Sequence, residues 1–242
     1  MGNCVTILKN VETIPLSFPS VKYEDVKEQI KPFDVVLFRS NDLVSTLISN
    51  VQKMTTGHGC FTHAALIVMG EFVGRPELGD RLLTLEITLG GKLNDGVTDI
   101  DGKVFLGVQL RYFDEVIKHS EKVGWLKLRR NPIEYYDQVE IKELKQKCTE
   151  VFNEISGDPY VRNICILLRA SIGNSPYTKY KKDKKGIRNR FFCSELVAYV
   201  LKKIGVLDDR VNCKNVLPVD FIPDVDTNKE INCCENPIII TN

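Results

Sequence analysis

The sequence predicts an α+β fold in which an antiparallel sheet packs against helices. Strand-length apolar segments crowd the first half of the chain, and long helical patterns fill much of the second half. No repeat, low-complexity tract or evident linker divides the 242 residues, so one α+β domain accounts for them.

The elements follow in order. A short helix is expected at Tyr23–Ile30. VVLFR, residues 35–39, reads as a buried strand entered through Pro32-Phe33-Asp34. Asn41 or Asp42 then caps a helix in which Leu43, Leu47, Ile48 and Val51 recur at helical spacing. HAALIVMG forms a strand that begins at His63. RLLTLEITL is the next strand, with Leu83, Leu85 and Ile87 on one face and Thr84, Glu86 and Thr88 on the other. A Gly/Asn-rich loop occupies 90–103. VFLGVQL and GWLKLRR are strands on either side of the short helical pattern FDEVIKHS. An amphipathic helix runs from about Tyr135 to Ile155 and stops at Gly157-Asp158-Pro159. VRNICILLRA reads as a buried helix. FFCSELVAYVLKKIGVL opens another helix at Cys193 that closes at Gly205, and the proline-bearing tail from Cys213 is expected to be mostly extended.

Composition excludes several function classes. Hydrophobic residues make up 43% and charged residues 27%, as in an ordinary globular protein with a real core. A net charge of +1 gives no field that would recruit nucleic acid. No apolar run approaches membrane-spanning length, and the N-terminus lacks a secretory layout. Eight scattered cysteines fit a reducing compartment better than a disulfide framework. MGNCVT matches the N-myristoylation pattern, with Gly2 as acceptor and Cys4 as a second acylation site. With the basic segment KYKKDKKGIRNR at 179–190, that would suit an anionic membrane surface. The expected location is the cytoplasmic side of a eukaryotic cell, membrane-anchored there, or a virus that replicates in such a cell.

Three residues carry candidate chemistry. Cys193 starts a helix, where the macrodipole and unpaired amides favour a thiolate. His63 starts a strand at a sheet edge and can serve as its base. Glu86, on the polar face of the following strand, can accept from the second ring nitrogen and fix the tautomer. His58, Cys60 and His63 could also form half a zinc site. Structural zinc sites show two paired half-motifs, however, and the second pair is missing. No metal and no cofactor is therefore expected.

FDVVLFR, FTHAALIV, LEIT, LGVQLR, GDPYV, FFCSELVAYVLKKIG and LPVDFIP follow one another in an order that resembles the circularly permuted branch of the papain-like, NlpC-type superfamily. The YiiX-like bacterial proteins and their poxvirus relatives look most similar. The resemblance covers residues 31–224, leaving 1–30 as an N-terminal segment and 225–242 as a tail. It implies a permuted papain-like fold with Cys193 as nucleophile, His63 as general base and Glu86 orienting the imidazole. It also places Thr62, Tyr160 and Ser194 at the substrate. Two departures stand out: Pro32-Phe33-Asp34 replaces the usual Gly-Asp, and Val161 follows Tyr160 where relatives often have Asp.

The activity so implied is a cysteine hydrolase that cleaves amide bonds, as a peptidase or amidase, through an acyl-thiol intermediate. A thiol acyltransferase or lipid hydrolase acting on ester or amide bonds at a membrane is one alternative. A non-enzymatic, membrane-tethered virion component that retains the three residues is another.

Overall fold

The computed structural model describes residues 17–39, 46, 48–50, 52–53, 58–88, 97–103, 107–120, 122–159, 191–223, 225 and 231–242. The expected helices at 41–51 and 161–170 lie wholly or partly outside these residues.

Seven strands form one sheet: β1 (Ser20–Lys22), β2 (Val35–Arg39), β3 (His63–Val68), β4 (Leu83–Thr88), β5 (Gly107–Tyr112), β6 (Lys122–Leu126) and β7 (Ile238–Thr241). Their order across the sheet is β1-β7-β6-β2-β3-β4-β5. Every neighbouring pair is antiparallel except β1 and β7, which run parallel. Among the described residues the helices with both ends defined are α1 (Tyr23–Val26), α2 (Phe113–Lys118), α3 (Pro132–Tyr135), α4 (Gln138–Ile155) and α5 (Cys193–Lys203). This is the α+β architecture expected from the sequence, a sheet packed against helices.

The central strands are apolar on both faces because both faces are covered. Val35 and Leu37 of β2, with Ala64, Leu66 and Val68 of β3, pack against α4 and α5. Val36, Phe38, Ala65 and Ile67 point the other way and meet Val26 of α1 and Phe113, Val116 and Ile117 of α2. The helix α5 runs through the larger core, and Cys193 through Leu201 are all buried along it. A helix apolar nearly all round can only sit inside.

A buried carboxylate ties β2 to β6. Asp34 has no exposure. Its Oδ2 accepts from Trp125 Nε1 at 2.8 Å and from the Lys31 amide at 3.1 Å. Oδ1 accepts from the Leu128 amide at 3.1 Å and from Asn131 Nδ2 at 3.2 Å. Burial pushes the Asp34 carboxyl above its usual range, and these donors only partly oppose that. Phe33, just before it, is the only described non-glycine residue with a positive φ, at 75°. It stands where the resemblance expects glycine. Its ring is 1% exposed and lies edge-on to Phe72 at 5.1 Å, so core packing offsets a left-handed backbone.

Several expectations need correction. The helix expected from about Tyr135 to Ile155 starts three residues later, at Gln138, with the short α3 ending separately at Tyr135. Asp137 caps α4 by accepting from the Val139 and Glu140 amides, while Glu140 accepts from the Asp137 amide. That D-x-x-E capping box stops α4 from continuing back into α3. The strand read in GWLKLRR starts earlier, at Lys122, and ends at Leu126, beyond which Leu128 makes only an isolated bridge to Cys234. The helix at Tyr23 gives way to a 3-10 turn over Lys27–Gln29. The tail is less extended than expected, with 3-10 turns at Cys213–Asn215 and Pro218–Phe221, and its last residues join the sheet as β7. The tail's apolar run is too short to distinguish an edge strand from a loop by periodicity.

Phe33 gives a test with an unusual ordering. Phe33→Ala loses the buried ring, at about 3–5 kcal/mol, and keeps the strained backbone. Phe33→Gly loses the same ring but relieves the strain, so it is expected to be the more stable of the two by ~1 kcal/mol. Urea denaturation of both variants checks this; Phe33→Ala proving the more stable would contradict it.

Candidate functional site

The candidate site is built where three elements end together. β3 contributes its first residue, β4 its central carboxylate, and α5 its N-terminus. Residue alternation in β4 sends Leu83, Leu85 and Ile87 into the larger core and Thr84 and Glu86 to the opposite face. That face is closed: Glu86 and Thr84 have no exposure. A carboxylate expected on a polar face is therefore fully buried, and it needs partners.

It has three. Arg111 Nε donates to Glu86 Oε1 at 2.7 Å, and Thr84 Oγ1 donates to the same oxygen at 2.8 Å. His63 Nε2 lies 2.7 Å from Oε2. Arg111 pairs directly with Thr84 in the β4–β5 register, so its guanidinium reaches Glu86 diagonally along the sheet face. Burial alone would raise the Glu86 pKa. The charge of Arg111, followed by the hydrogen bond and charge of His63, outweighs it and holds the carboxyl well below the usual carboxylate range.

An ionised Glu86 only accepts, so Nε2 of His63 must carry the proton. The other ring nitrogen, Nδ1, is then free of a proton in the neutral ring, and the imidazole lies close enough to Cys193 for each to shift the other's protonation. The backbone amides of Ala64 and Ser194 add to the pull toward the thiolate. Burial raises the Cys193 pKa, but the His63 charge and hydrogen bond, helped by these amides, bring it below the ordinary thiol value. Burial likewise lowers the His63 pKa, yet Cys193 and then Glu86 raise it from 6.5 to about 10. Together they favour a thiolate–imidazolium pair. Cys148 and Cys213 supply the contrast: burial pushes their thiols up to about 12 and about 11.

The surroundings hold this geometry. Phe38 pairs with His63 across β2 and β3, and its ring centroid lies 5.8 Å from the imidazole's. Phe61, without exposure, sits over Gly124 of β6 so closely that a Cβ there would stand 2.6 Å from the ring. Gln52 is buried; its Nε2 donates to Phe61 O at 2.6 Å and its Oε1 accepts from the Val219 amide at 2.9 Å. It thereby ties the approach to β3 to the Pro218–Phe221 turn. At α5, the Glu195 carboxylate accepts from the Phe192 amide at 3.1 Å and satisfies one donor of the helix start.

The remaining expected site residues fall as follows. Thr62 is 3% exposed, and its amide donates to Phe38 O at 2.8 Å. Ser194 is 2% exposed, and its hydroxyl donates to Val216 O at 2.7 Å, which fastens α5 to the following segment. Both residues are as buried as Cys193 itself. Tyr160, Gly2, Cys4 and the basic segment 179–190 lie outside the described residues. His58, Cys60 and His63 form no metal cluster: among the described residues, no three His, Cys, Asp or Glu side chains are placed to hold an ion. No helix among those residues is long and apolar enough to cross a membrane.

Sequence reading missed Arg111, Thr84 and Gln52. A signal for the first two was present. Thr84 and Glu86 alternate with leucines in β4, as Gln109 and Arg111 alternate with Val108 and Leu110 in β5. Two polar stripes on adjacent strands would line one face once the register is known.

No family model and no curated protein matches the chain. Among solved structures it is similar to the crystal structure of the metalloprotein YiiX from Escherichia coli O157:H7. That likeness has 15% sequence identity and a TM-score of 0.42, and covers 74% of this chain and 68% of the other.

The buried ion pair has a measurable consequence. Glu86 has a depressed folded pKa, so its stabilising contribution is present above its usual value of 4.5 and is lost as pH falls below it. Arg111→Met removes the guanidinium from the buried carboxylate and leaves Oε1 without its charged donor, at an expected cost of about 3–5 kcal/mol at neutral pH. Glu86→Gln should abolish much of the fall in stability below about pH 4.5. Urea midpoints measured from acid to neutral pH test both; an unchanged acid profile in Glu86→Gln would contradict the assignment.

Proposed function

We propose that this chain is a cysteine hydrolase of the permuted papain-like kind, cleaving amide bonds through an acyl-thiol intermediate. The single observation that carries the proposal is the relay from Glu86 through His63 to Cys193 at the start of a buried helix. A triad is recognised by such geometry and by roles rather than by chain order.

In this reading the Cys193 thiolate attacks the carbonyl carbon, and the carbonyl oxygen takes the negative charge. First-turn amides of α5 lack intrahelical acceptors and are suited to stabilise it. The His63 imidazolium gives its Nδ1 proton to the leaving amine as the tetrahedral intermediate collapses to a thioester. Neutral His63 then takes a proton from water, which attacks the thioester and releases the acid. Glu86 remains ionised throughout and holds the ring by Nε2. The buried ion pair with Arg111 favours that ionised state.

The pH dependence follows from the same pair. Activity should rise on the acid side as Cys193 ionises, below the ordinary thiol range, and fall as pH passes about 10 and the imidazolium loses its proton. Incubation with a panel of acyl esters and peptide amides, quenched in acid and read by mass spectrometry, is expected to give an acyl adduct on Cys193. Cys193→Ala should give none, and His63→Ala should acylate about 10²–10⁴-fold more slowly. Absence of any adduct, from a protein whose Cys193 still reacts with iodoacetamide, would favour the non-enzymatic alternative.

A further inference from the structure

Cys233 and Cys234 lie apart from the Cys193 site, on the segment that leads into β7. In extended backbone, successive side chains point to opposite faces. Here the two sulfurs are instead in contact at 3.6 Å. The backbone on either side is pinned to the end of β6. The Arg129 amide donates to Cys233 O at 2.9 Å and Arg129 Nε to Cys234 O at 2.7 Å. The Glu235 amide donates to Lys127 O at 2.8 Å, and Leu128 bridges Cys234. Cys234 is 1% exposed, whereas Cys233 is only partly buried. The residue nearer solvent is Cys233, and the sulfur of the buried Cys234 is in contact with its sulfur.

We propose that Cys233 and Cys234 form a reversible dithiol modification site that exchanges with small disulfides of the glutathione type and closes a disulfide between adjacent residues. Cys233 gives up its proton, and its sulfur attacks one sulfur of the small disulfide. The small S–S bond breaks, one thiolate leaves and is protonated, and a mixed disulfide remains on Cys233. Cys234 then loses its proton and attacks the Cys233 sulfur, expelling the second small thiol, which is protonated in turn. The protein dithiol has been oxidised by two electrons and the small disulfide reduced to two thiols.

The order follows from the surroundings. The hydrogen bond with Cys234, joined by the charge of Arg129, holds Cys233 below the ordinary thiol range, while Cys234 is held well above it. Reversibility follows from geometry. Adjacent Cα atoms sit about 3.8 Å apart across a trans peptide, shorter than the usual disulfide span of about 4.4–6.8 Å. The closed ring is therefore strained, and strained disulfides are the readily reduced ones. Cys193 cannot substitute for either partner. The dithiol neighbours Asp34, at the other end of β2 from the Phe38–His63 pair, about 13 Å along the strand.

The test uses the full chain carrying Cys193→Ala, treated under native conditions with oxidised glutathione and digested with trypsin. Cleavage after Lys229 leaves both cysteines on one C-terminal peptide. That peptide is expected to lose two hydrogen atoms and carry no glutathione, and dithiothreitol should restore it. In Cys234→Ser the resolving sulfur is gone, so a stable glutathione adduct on Cys233 is expected. A stable adduct with Cys234 still present, or a peptide that stays fully reduced, would overturn the proposal whatever the catalytic role of Cys193.

Discussion

Glu86 holds a charge with no contact with water, and the rest of the site is arranged around keeping it there. A buried carboxylate is tolerated only when other groups replace its hydration. Arg111, Thr84 and His63 do so with bonds of 2.7–2.8 Å. Because Oε1 is taken by Arg111 and Thr84, Oε2 is the oxygen turned to the imidazole. The tautomer of His63 follows, and with it the ring nitrogen offered to Cys193. A buried pair of this kind adds little net stability over an apolar one, but removing either partner alone is costly. Its use lies in fixing one arrangement.

The scaffold delivers the three groups from independent directions. β2 sets β3 in register, which puts His63 at a strand start beside Phe38. Asp34 anchors β2 to Trp125 and Leu128 at the opposite end. The helix α5, buried along its first nine residues, presents Cys193 where its dipole favours a thiolate. Gln52 and Ser194 fasten the two approaches from behind.

Most of this was legible in the sequence at the level of elements. Continuous apolar runs marked β2 and β3, alternation marked β4, and a cysteine before an apolar helical run marked α5. Those are local periodicities, and local rules suffice for them. The relay itself was legible only in part. Cys193, His63 and Glu86 could be named, but burial of Glu86 depends on what covers the second face of the sheet. The Arg111 contact is diagonal across strands and depends on register. Flanking a reactive residue in sequence does not determine whether a hydroxyl faces a cleft or, as the Ser194 hydroxyl does, binds the backbone behind it. Phe33 stayed hidden for a similar reason: only tertiary packing makes a left-handed phenylalanine tolerable.

The central claim is that His63 and Cys193 share a proton in favour of the ion pair. Ultraviolet thiolate absorbance measured against pH, with the Cys193→Ala spectrum subtracted, tests it directly. The expected result is a Cys193 thiolate that forms with an apparent pKa below the ordinary 9.0 of a thiol. In His63→Ala the step should move to 9.0 or above, because burial then acts without the opposing charge. A step at or above 9.0 in the unaltered protein, unmoved by His63→Ala, would contradict it.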